Sequence, residues 1–105
     1  MNIINGGVTE ERIAQWKVQH RRVAEVSIED DGTTYVGYFR RPDMETMAAV
    51  STLSKTDEVK AANALFENCW LGGADELRHE AVLRMAAIGQ LNQLMEVKRA
   101  EIKNL

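Results

Sequence analysis

The chain has 105 residues with a formal net charge of −3, and its composition is 45% apolar and 28% charged. This length supports a single domain with one hydrophobic core, and this composition excludes wholesale disorder. The net negative charge argues against a global electrostatic attraction to nucleic acid or to anionic membranes, although a local basic patch can still act.

Cysteine content and the N-terminal sequence bear on the compartment. The lone Cys69 cannot form an intramolecular disulfide, so nothing in the sequence requires an oxidising environment. The N-terminus lacks the charged start and the continuous apolar stretch of a signal peptide, and no apolar run approaches the length of a membrane span. We therefore expect a cytoplasmic protein.

The first residues and the first helix can be placed by composition and capping. Residues 1–8 are mostly polar or glycine, which is typical of a flexible leader, and residues 9–105 are predicted to form a single α+β domain. Thr9 can cap a helix over roughly residues 9–19, whose first turn is acidic. Because residues 16–18 also alternate in polarity, an alternative interpretation extends the next strand backwards through them.

A β-hairpin is the clearest local prediction. From Arg22 onward apolar residues alternate with polar ones, and Asp31 and Gly32 then supply a tight turn before β-branched and aromatic residues resume over residues 34–40. An isolated hairpin is at best marginally stable in water. We therefore expect its apolar face to be covered by helices or paired with the strands of another subunit.

Helical patterns follow the hairpin. Pro42 stops the strand, and Asp43 can cap a helix that ends near Ser54. Thr56 can cap the next helix, whose apolar stripe ends in the segment Asn-Cys-Trp-Leu-Gly-Gly at residues 68–73. The two glycines of this segment let the chain reverse, which predicts an αα corner. The residues assigned to this structural corner are Phe66, Cys69, Trp70, Gly72 and Gly73.

The last pattern predicts one long helix from Asp75 to the C-terminus. Apolar residues recur along it at near-heptad spacing, and the expected seam consists of Ile88, Leu91, Met95, Ile102 and Leu105. Together the patterns predict an α+β fold made of an N-terminal helix, a β-hairpin and a small helical bundle with a long C-terminal helix. The unpaired hairpin edges and the helical seam also predict a homo-oligomer.

The sequence contains no set of residues that points to catalysis, to a metal or to a cofactor. Cys69 has two candidate histidine partners, His20 and His79, but its place on an apolar stripe favours core packing over nucleophilic catalysis. Two histidines and one cysteine so far apart match no zinc spacing. We therefore expect no enzymatic activity, no metal and no cofactor, whereas an enzyme built on Cys69 would need that thiol exposed beside a histidine.

Two short basic stretches offer an alternative function in nucleic-acid binding or regulation. They consist of His20, Arg21, Arg22, Arg40 and Arg41. The antiparallel hairpin brings both stretches to its open end, and exposed aromatic rings beside them would complete a nucleic-acid surface. Charged residues at strand edges also suppress aggregation, and we favour that interpretation.

Methionines on the helices predict an adaptable groove for a partner helix. The predicted partner-binding residues are Met44, Met47, Val50, Leu91, Leu94 and Met95. Methionine more often fills gaps in small cores, but the apolar surface exceeds what a hairpin and three helices can hide. This surplus favours a non-enzymatic binding module.

Several of these features together resemble the tail assembly chaperones of siphophages and their prophages. They are the two short strands, the Arg40-Arg41-Pro42 entry, the helix pair closed by residues 68–73, and a final helix rich in Gln, Leu and Glu. The resemblance covers roughly residues 23–105. It implies a protein of the bacterial host cytoplasm that binds the long, coiled-coil-prone tape measure protein and keeps it soluble during tail assembly. It also implies that tube subunits later displace the chaperone.

Overall fold

The computed structural model describes residues 2–95 and 98–105. In chain order, its elements are β1 (Asn2–Ile4), α1 (Glu10–Gln19), β2 (Val23–Asp30), β3 (Thr33–Arg40), α2 (Met44–Ser54), α3 (Glu58–Cys69), β4 (Trp70–Gly73), α4 (Asp75–His79) and α5 (Ala81–Leu91). A 3-10 turn over Asn92–Met95 follows α5, and residues 98–105 have no regular secondary structure. Within the described ranges, no helix combines the length and the apolar character needed to cross a bilayer.

The predicted β-hairpin is confirmed. Strands β2 and β3 pair antiparallel along their whole length, up to Asp30 opposite Thr33. Asp31 and Gly32 form the turn between them, with φ angles of 51° and 78°. Two consecutive residues with positive φ are typical of the primed turns whose twist suits a two-residue hairpin, and Asp-Gly is a preferred pair for this turn.

Side-chain caps fix where the helices start. The Thr9 hydroxyl accepts the N–H three residues further on at 3.2 Å, which confirms the predicted start of α1 and places residues 16–18 in a helix rather than a strand. The Asp43 carboxylate caps α2 in the same way at 2.8 Å, also as predicted. Asp57 caps α3 in place of the predicted Thr56, because its carboxylate accepts two N–H groups of the first turn.

Strand β3 is the centre of a four-stranded mixed sheet. It pairs with β2 on one side, and two short strands share its other side. β1 pairs in parallel with the first residues of β3, and β4 pairs antiparallel with the segment from Gly37 to Phe39. The prediction of a flexible leader over residues 1–8 is therefore wrong for Asn2–Ile4, which strand pairing holds in the sheet.

Helices cover both faces of this sheet. On one face, α1 packs Trp16 against Val36 and Tyr38. On the other face lie α3, α4 and α5, and the main core there is centred on Phe39 and Phe66. Because both faces of β3 are covered, its four consecutive residues 36–39 are all buried, as in the interior strands of layered folds.

The predicted αα corner is wrong. Trp70–Gly73 runs as β4 along the edge of β3 and does not reverse directly between two helices. Gly73 has a φ of 143°, and a Cβ atom there would meet the carbonyl oxygen of Val36 at 2.5 Å. Glycine therefore stands at this position because two backbones approach closely within the sheet.

The predicted long C-terminal helix is also wrong. Helix α4 ends at His79, and Glu80 takes an extended conformation before α5 begins. Helix α5 ends at Leu91, and the predicted seam does not form because Ile88 and Leu91 are buried in the core of the domain. The fold is α+β, but its first element is a strand and not a helix. The hairpin belongs to a four-stranded sheet that is layered between helices and does not stand at the end of a helical bundle.

Candidate functional site

The structure separates the residues of the predicted methionine groove. Met44 is 79% exposed at the start of α2, whereas Leu91 is fully buried in the core. Val50, Leu94 and Met95 are half-buried and pack against that core. Met47 is half-buried as well. These six residues therefore do not line one groove, because the turn after α5 folds back against the core instead of extending as a helix.

An apolar groove does exist, but it lies between α2, α3 and α5. Its volume is about 430 Å³, and we call it the α2–α3–α5 groove. Its apolar lining consists of Val50, Val59, Ala61, Ala62, Leu65, Met85 and Ile88, and its polar lining of Ser54, Glu58, Asn63 and Asn92. Of the residues predicted for partner binding, this groove contains only Val50.

The groove arises because α3 and α5 carry apolar residues on more than one face. Helix α3 turns Leu65 and Phe66 into the main core, while Val59 at its start remains 64% exposed. Helix α5 buries Ala87 and Leu91, while Met85 remains 58% exposed. The apolar stripe predicted on α3 includes Val59 and Ala62, so that signal was present in the sequence. Sequence periodicity alone does not show which part of a broad stripe stays uncovered.

Two of the residues assigned to the corner, Phe66 and Trp70, form an aromatic cluster with Phe39. The Trp70 ring stacks on Phe66 with 5.4 Å between centroids, and it meets Phe39 edge-on at 5.4 Å. The Arg84 guanidinium lies 4.1 Å from the centroid of Phe66. Glu67 accepts charge-assisted hydrogen bonds from Arg84 and from Arg78. This cluster joins the sheet to α3 and to the segment that contains α4 and α5. Its role is therefore to stabilise the fold.

Cys69 lies in the same core and is fully buried. Burial raises the pKa of its thiol, and the positive charge of Arg40 offsets only part of that increase. A buried thiol with a raised pKa is a poor nucleophile, so its environment is that of a core residue. Within the described ranges, no three His, Cys, Asp or Glu side chains come close enough to hold a metal ion.

The basic residues predicted as an alternative site do come together. His20, Arg21, Arg22, Arg40 and Arg41 line one cleft of about 370 Å³ together with Gln19, Pro42 and Asp43. We call it the basic cleft. The aromatic residues expected beside it are not available, because Tyr38 is 5% exposed and Phe39 is fully buried. Tyr35 lies opposite Ile28, nearer the turn end of the hairpin.

Comparison with known proteins bears on the fold. No protein-family model matches the chain, and no curated protein matches it. Its fold is similar to the solved structure of the uncharacterised protein rbstp2171 from Bacillus stearothermophilus, with a TM-score of 0.59. The two chains are 18% identical, and the match covers 88% of this chain and 99% of that chain. The likeness therefore establishes a shared α+β fold.

Proposed function

We propose that this protein is a non-enzymatic chaperone that holds an amphipathic helical segment of a coiled-coil-forming partner in the α2–α3–α5 groove. The observation that carries the proposal is the groove itself, an apolar depression of about 430 Å³ whose rim carries exposed Val59 and Met85. The resemblance to tail assembly chaperones suggests the tape measure protein as the partner, bound in the cytoplasm of the bacterial host.

The shape of the groove suits a helix. Two of its walls are the helices α3 and α5, and an amphipathic helix can lay its apolar stripe between such walls. Met85 sits at the rim with an unbranched thioether side chain, which can adapt to different turns of a long partner. Apolar side chains of a coiled-coil seam would be shielded from water there, and the polar residues of the groove would meet the edges of the partner helix.

Weak and reversible binding fits this task. A chaperone that is later displaced by tube subunits needs a short residence time, and most differences in affinity between related complexes lie in the dissociation rate. A groove with few polar anchors and one flexible methionine favours moderate affinity over tight binding.

Co-expression tests the proposal directly. The assay measures the soluble fraction of a long coiled-coil protein encoded beside this chain, with and without the chaperone. Val59→Glu and Met85→Glu should each abolish the gain in solubility, because a carboxylate under the docked helix would lose its hydration without gaining a partner. Val82→Glu is the matched control, since Val82 lies on the same helix as Met85, is 73% exposed and does not line the groove.

A soluble fraction that is the same with and without this chain would overturn the proposal. Equal loss of the effect in the Val82→Glu control and in the groove variants would exclude the groove as the binding surface. Met44→Glu adds a second comparison, because Met44 belongs to the originally predicted groove and is exposed outside the observed one. This variant should behave like the wild type.

A further inference from the structure

Two arginine pairs meet at one end of the sheet. Arg21 and Arg22 connect α1 to β2, and Arg40 and Arg41 follow at the end of β3. The pairing of Val23 with Arg40 places both pairs at the same end of the hairpin. All four arginines line the basic cleft. The hairpin thus converts two separate basic dipeptides into one surface.

One of these arginines, Arg40, is held in place by contacts with neighbouring residues. The Arg40 side chain is 19% exposed, and its guanidinium lies 3.5 Å from the carboxylate of Asp43. It also donates hydrogen bonds to the Thr46 hydroxyl at 3.3 Å and to the Arg41 carbonyl oxygen at 3.2 Å. A guanidinium fixed in this way loses less side-chain entropy when it binds an anion.

The other three arginines of the cleft, Arg21, Arg22 and Arg41, carry uncompensated charge. They are exposed and form no salt bridge within residues 2–95 and 98–105. Every arginine elsewhere in these ranges has a partner. Arg78 and Arg84 pair with Glu67, Arg99 pairs with Glu101, and Arg12 stacks over Trp16.

The cleft therefore has a charge opposite to that of the whole molecule. Within the described part of the chain, its lining contains four guanidinium groups and one carboxylate, that of Asp43, whereas the chain has a formal net charge of −3. Planar guanidinium groups are well suited to phosphate oxygens, which they can bind with two parallel hydrogen bonds. The structure thus combines the charge and the donor geometry of a phosphate-binding surface.

The surroundings of the cleft narrow the range of possible ligands further. Proteins that bind single strands combine basic grooves with exposed aromatic rings on which bases stack, and here Tyr38 and Phe39 are buried. Sequence readout in a duplex needs an element that enters a groove of the nucleic acid, whereas this surface is concave. We infer that the basic cleft binds the phosphodiester backbone of double-stranded DNA without reading its sequence. This inference does not rest on the proposed chaperone function.

The size of the effect follows from counterion release. A net local charge of about +3 neutralises about three phosphates, which predicts a slope near −2.7 for log K against log salt and a dissociation constant of about 10⁻⁴ to 10⁻⁶ M. Binding should therefore weaken about 40-fold between 50 and 200 mM salt. Fluorescence anisotropy with a labelled duplex of mixed sequence and about 20 base pairs measures both quantities.

Charge reversal with a matched control locates the site. Arg21→Glu combined with Arg41→Glu should abolish binding at 50 mM salt. Lys60→Glu combined with Lys103→Glu changes the net charge by the same amount at exposed positions outside the cleft. That control should retain the wild-type salt slope, and circular dichroism melting would verify that both double variants are folded. Equal loss of binding in both would overturn the inference, because net charge alone would then explain it.

A variant that gains affinity excludes unfolding as an explanation. Asp43→Asn removes the one carboxylate that the described residues contribute to the cleft lining, and it keeps a side chain that caps α2 well. It should bind the duplex several-fold more tightly and steepen the salt slope by about 1. An unchanged slope in this variant would contradict the inference.

Two further ligands distinguish the alternatives. Tighter binding to a single strand of equal length would overturn the duplex assignment. Binding to phosphatidylserine-containing vesicles without binding to DNA would assign the cleft to membranes instead. The groove variant Met85→Glu should bind the duplex like the wild type, so failure of this inference and failure of the chaperone proposal are separate outcomes.

Discussion

At the scale of single residues, Trp70 connects β4 to the rest of the molecule. It stacks on Phe66 with ring planes 17° apart, meets Phe39 edge-on, and lies under the guanidinium of Arg78. Cys69 next to it is fully buried, as predicted, but Trp70 itself is only half-buried because it sits on a strand at the edge of the core. Aromatic pairs of this geometry contribute about 0.5–1.5 kcal/mol each beyond their buried area.

We expect Trp70→Ala to lower the free energy of unfolding by about 3 kcal/mol, the lower end of the range for large aromatic truncations. Trp70→Phe should lower it by less than half as much, since a ring is kept between Phe39 and Phe66. Urea unfolding followed by circular dichroism measures both values. Equal stability of the wild type and the alanine variant would show that the cluster does not hold β4 in place.

Glu67 predicts a pH dependence of stability. Burial opposes ionisation of its carboxyl, but Arg84 and Arg78 outweigh burial and hold the pKa of Glu67 below its ordinary value. A lowered pKa in the folded state means that the carboxylate stabilises the protein above about pH 4.3 and loses this contribution as the pH falls through the folded-state pKa. Glu67→Gln should therefore be less stable than the wild type at pH 7.

The difference in melting temperature between Glu67→Gln and the wild type should shrink as the pH falls below about 4.3. Glu101→Gln is a suitable control, because Glu101 is exposed and its salt bridge with the exposed Arg99 is long, at 3.7 Å. A difference that stays constant from neutral to acidic pH would contradict the role assigned to Glu67.

At the scale of elements, the sequence predicted what short-range signals determine. The hairpin follows from the Asp31-Gly32 turn, and the starts of α1 and α2 follow from the caps Thr9 and Asp43. These signals act within four residues of the chain, so they are visible without tertiary contacts.

Strands β1 and β4 could not be predicted in this way. Each has at most four residues, and each exists because it finds a place beside β3. From the sequence alone, the two glycines of β4 indicate the end of a helix. In the structure, Gly73 is required because its backbone packs closely against the backbones of Val36 and Gly37. The long C-terminal pattern failed for a related reason, because Ile88 and Leu91 of its seam belong to the core of the domain and Met95 packs against that core.

The candidate sites divide along the same line. The basic cleft was predictable because strand register alone brings Arg22 and Arg40 together. The α2–α3–α5 groove was not, because its position depends on how three helices pack on the sheet.

Gly89 offers a test of helix α5. It lies on the exposed face of the helix, and a Cβ atom built on it would meet nothing within 4 Å among the described residues beyond its chain neighbours and the backbone of its own helix. The glycine therefore marks no close helix contact and only lowers the helical propensity of that turn. We expect Gly89→Ala to raise the free energy of unfolding by about 0.4–1 kcal/mol. Denaturant unfolding measures this gain, and destabilisation would indicate a contact made outside the monomer.

At the scale of the whole molecule, self-association remains a prediction, but we now expect a different surface to mediate it. The helical seam is unavailable, whereas β2 is an edge strand that, among the residues the structure describes, pairs only with β3. Asp30 and Thr33 flank a two-residue turn and form a hydrogen-bonded pair. Hydrogen-bonded and non-hydrogen-bonded pairs alternate along an antiparallel ladder, so every second residue of β2, starting from Glu29 and counting back, directs its N–H group away from β3. Ser27 is one of them.

Sedimentation at high micromolar concentration should therefore detect a dimer that pairs β2 with β2. Ser27→Pro should abolish the dimer and leave the monomer folded, because the lost N–H faces solvent and makes no bond within the sheet. Replacing Ile102 and Leu105 by serine should leave the dimer intact, since both side chains are exposed in residues 98–105. Sedimentation as a monomer alone at that concentration would count against association.

The shared edge of β3 also sets an order of folding. The hairpin closes locally, but the second edge of β3 is completed only when Gly73 reaches Gly37 and Ile4 reaches Tyr35. Closing such long loops lowers the entropy of the chain before the contacts between the strands can stabilise it. We therefore expect these pairings to form late. During synthesis, β1 is already available for its part of this edge, but the part of β3 from Gly37 to Phe39 stays unpaired until β4 has been made. The nascent chain is most prone to aggregate in that interval.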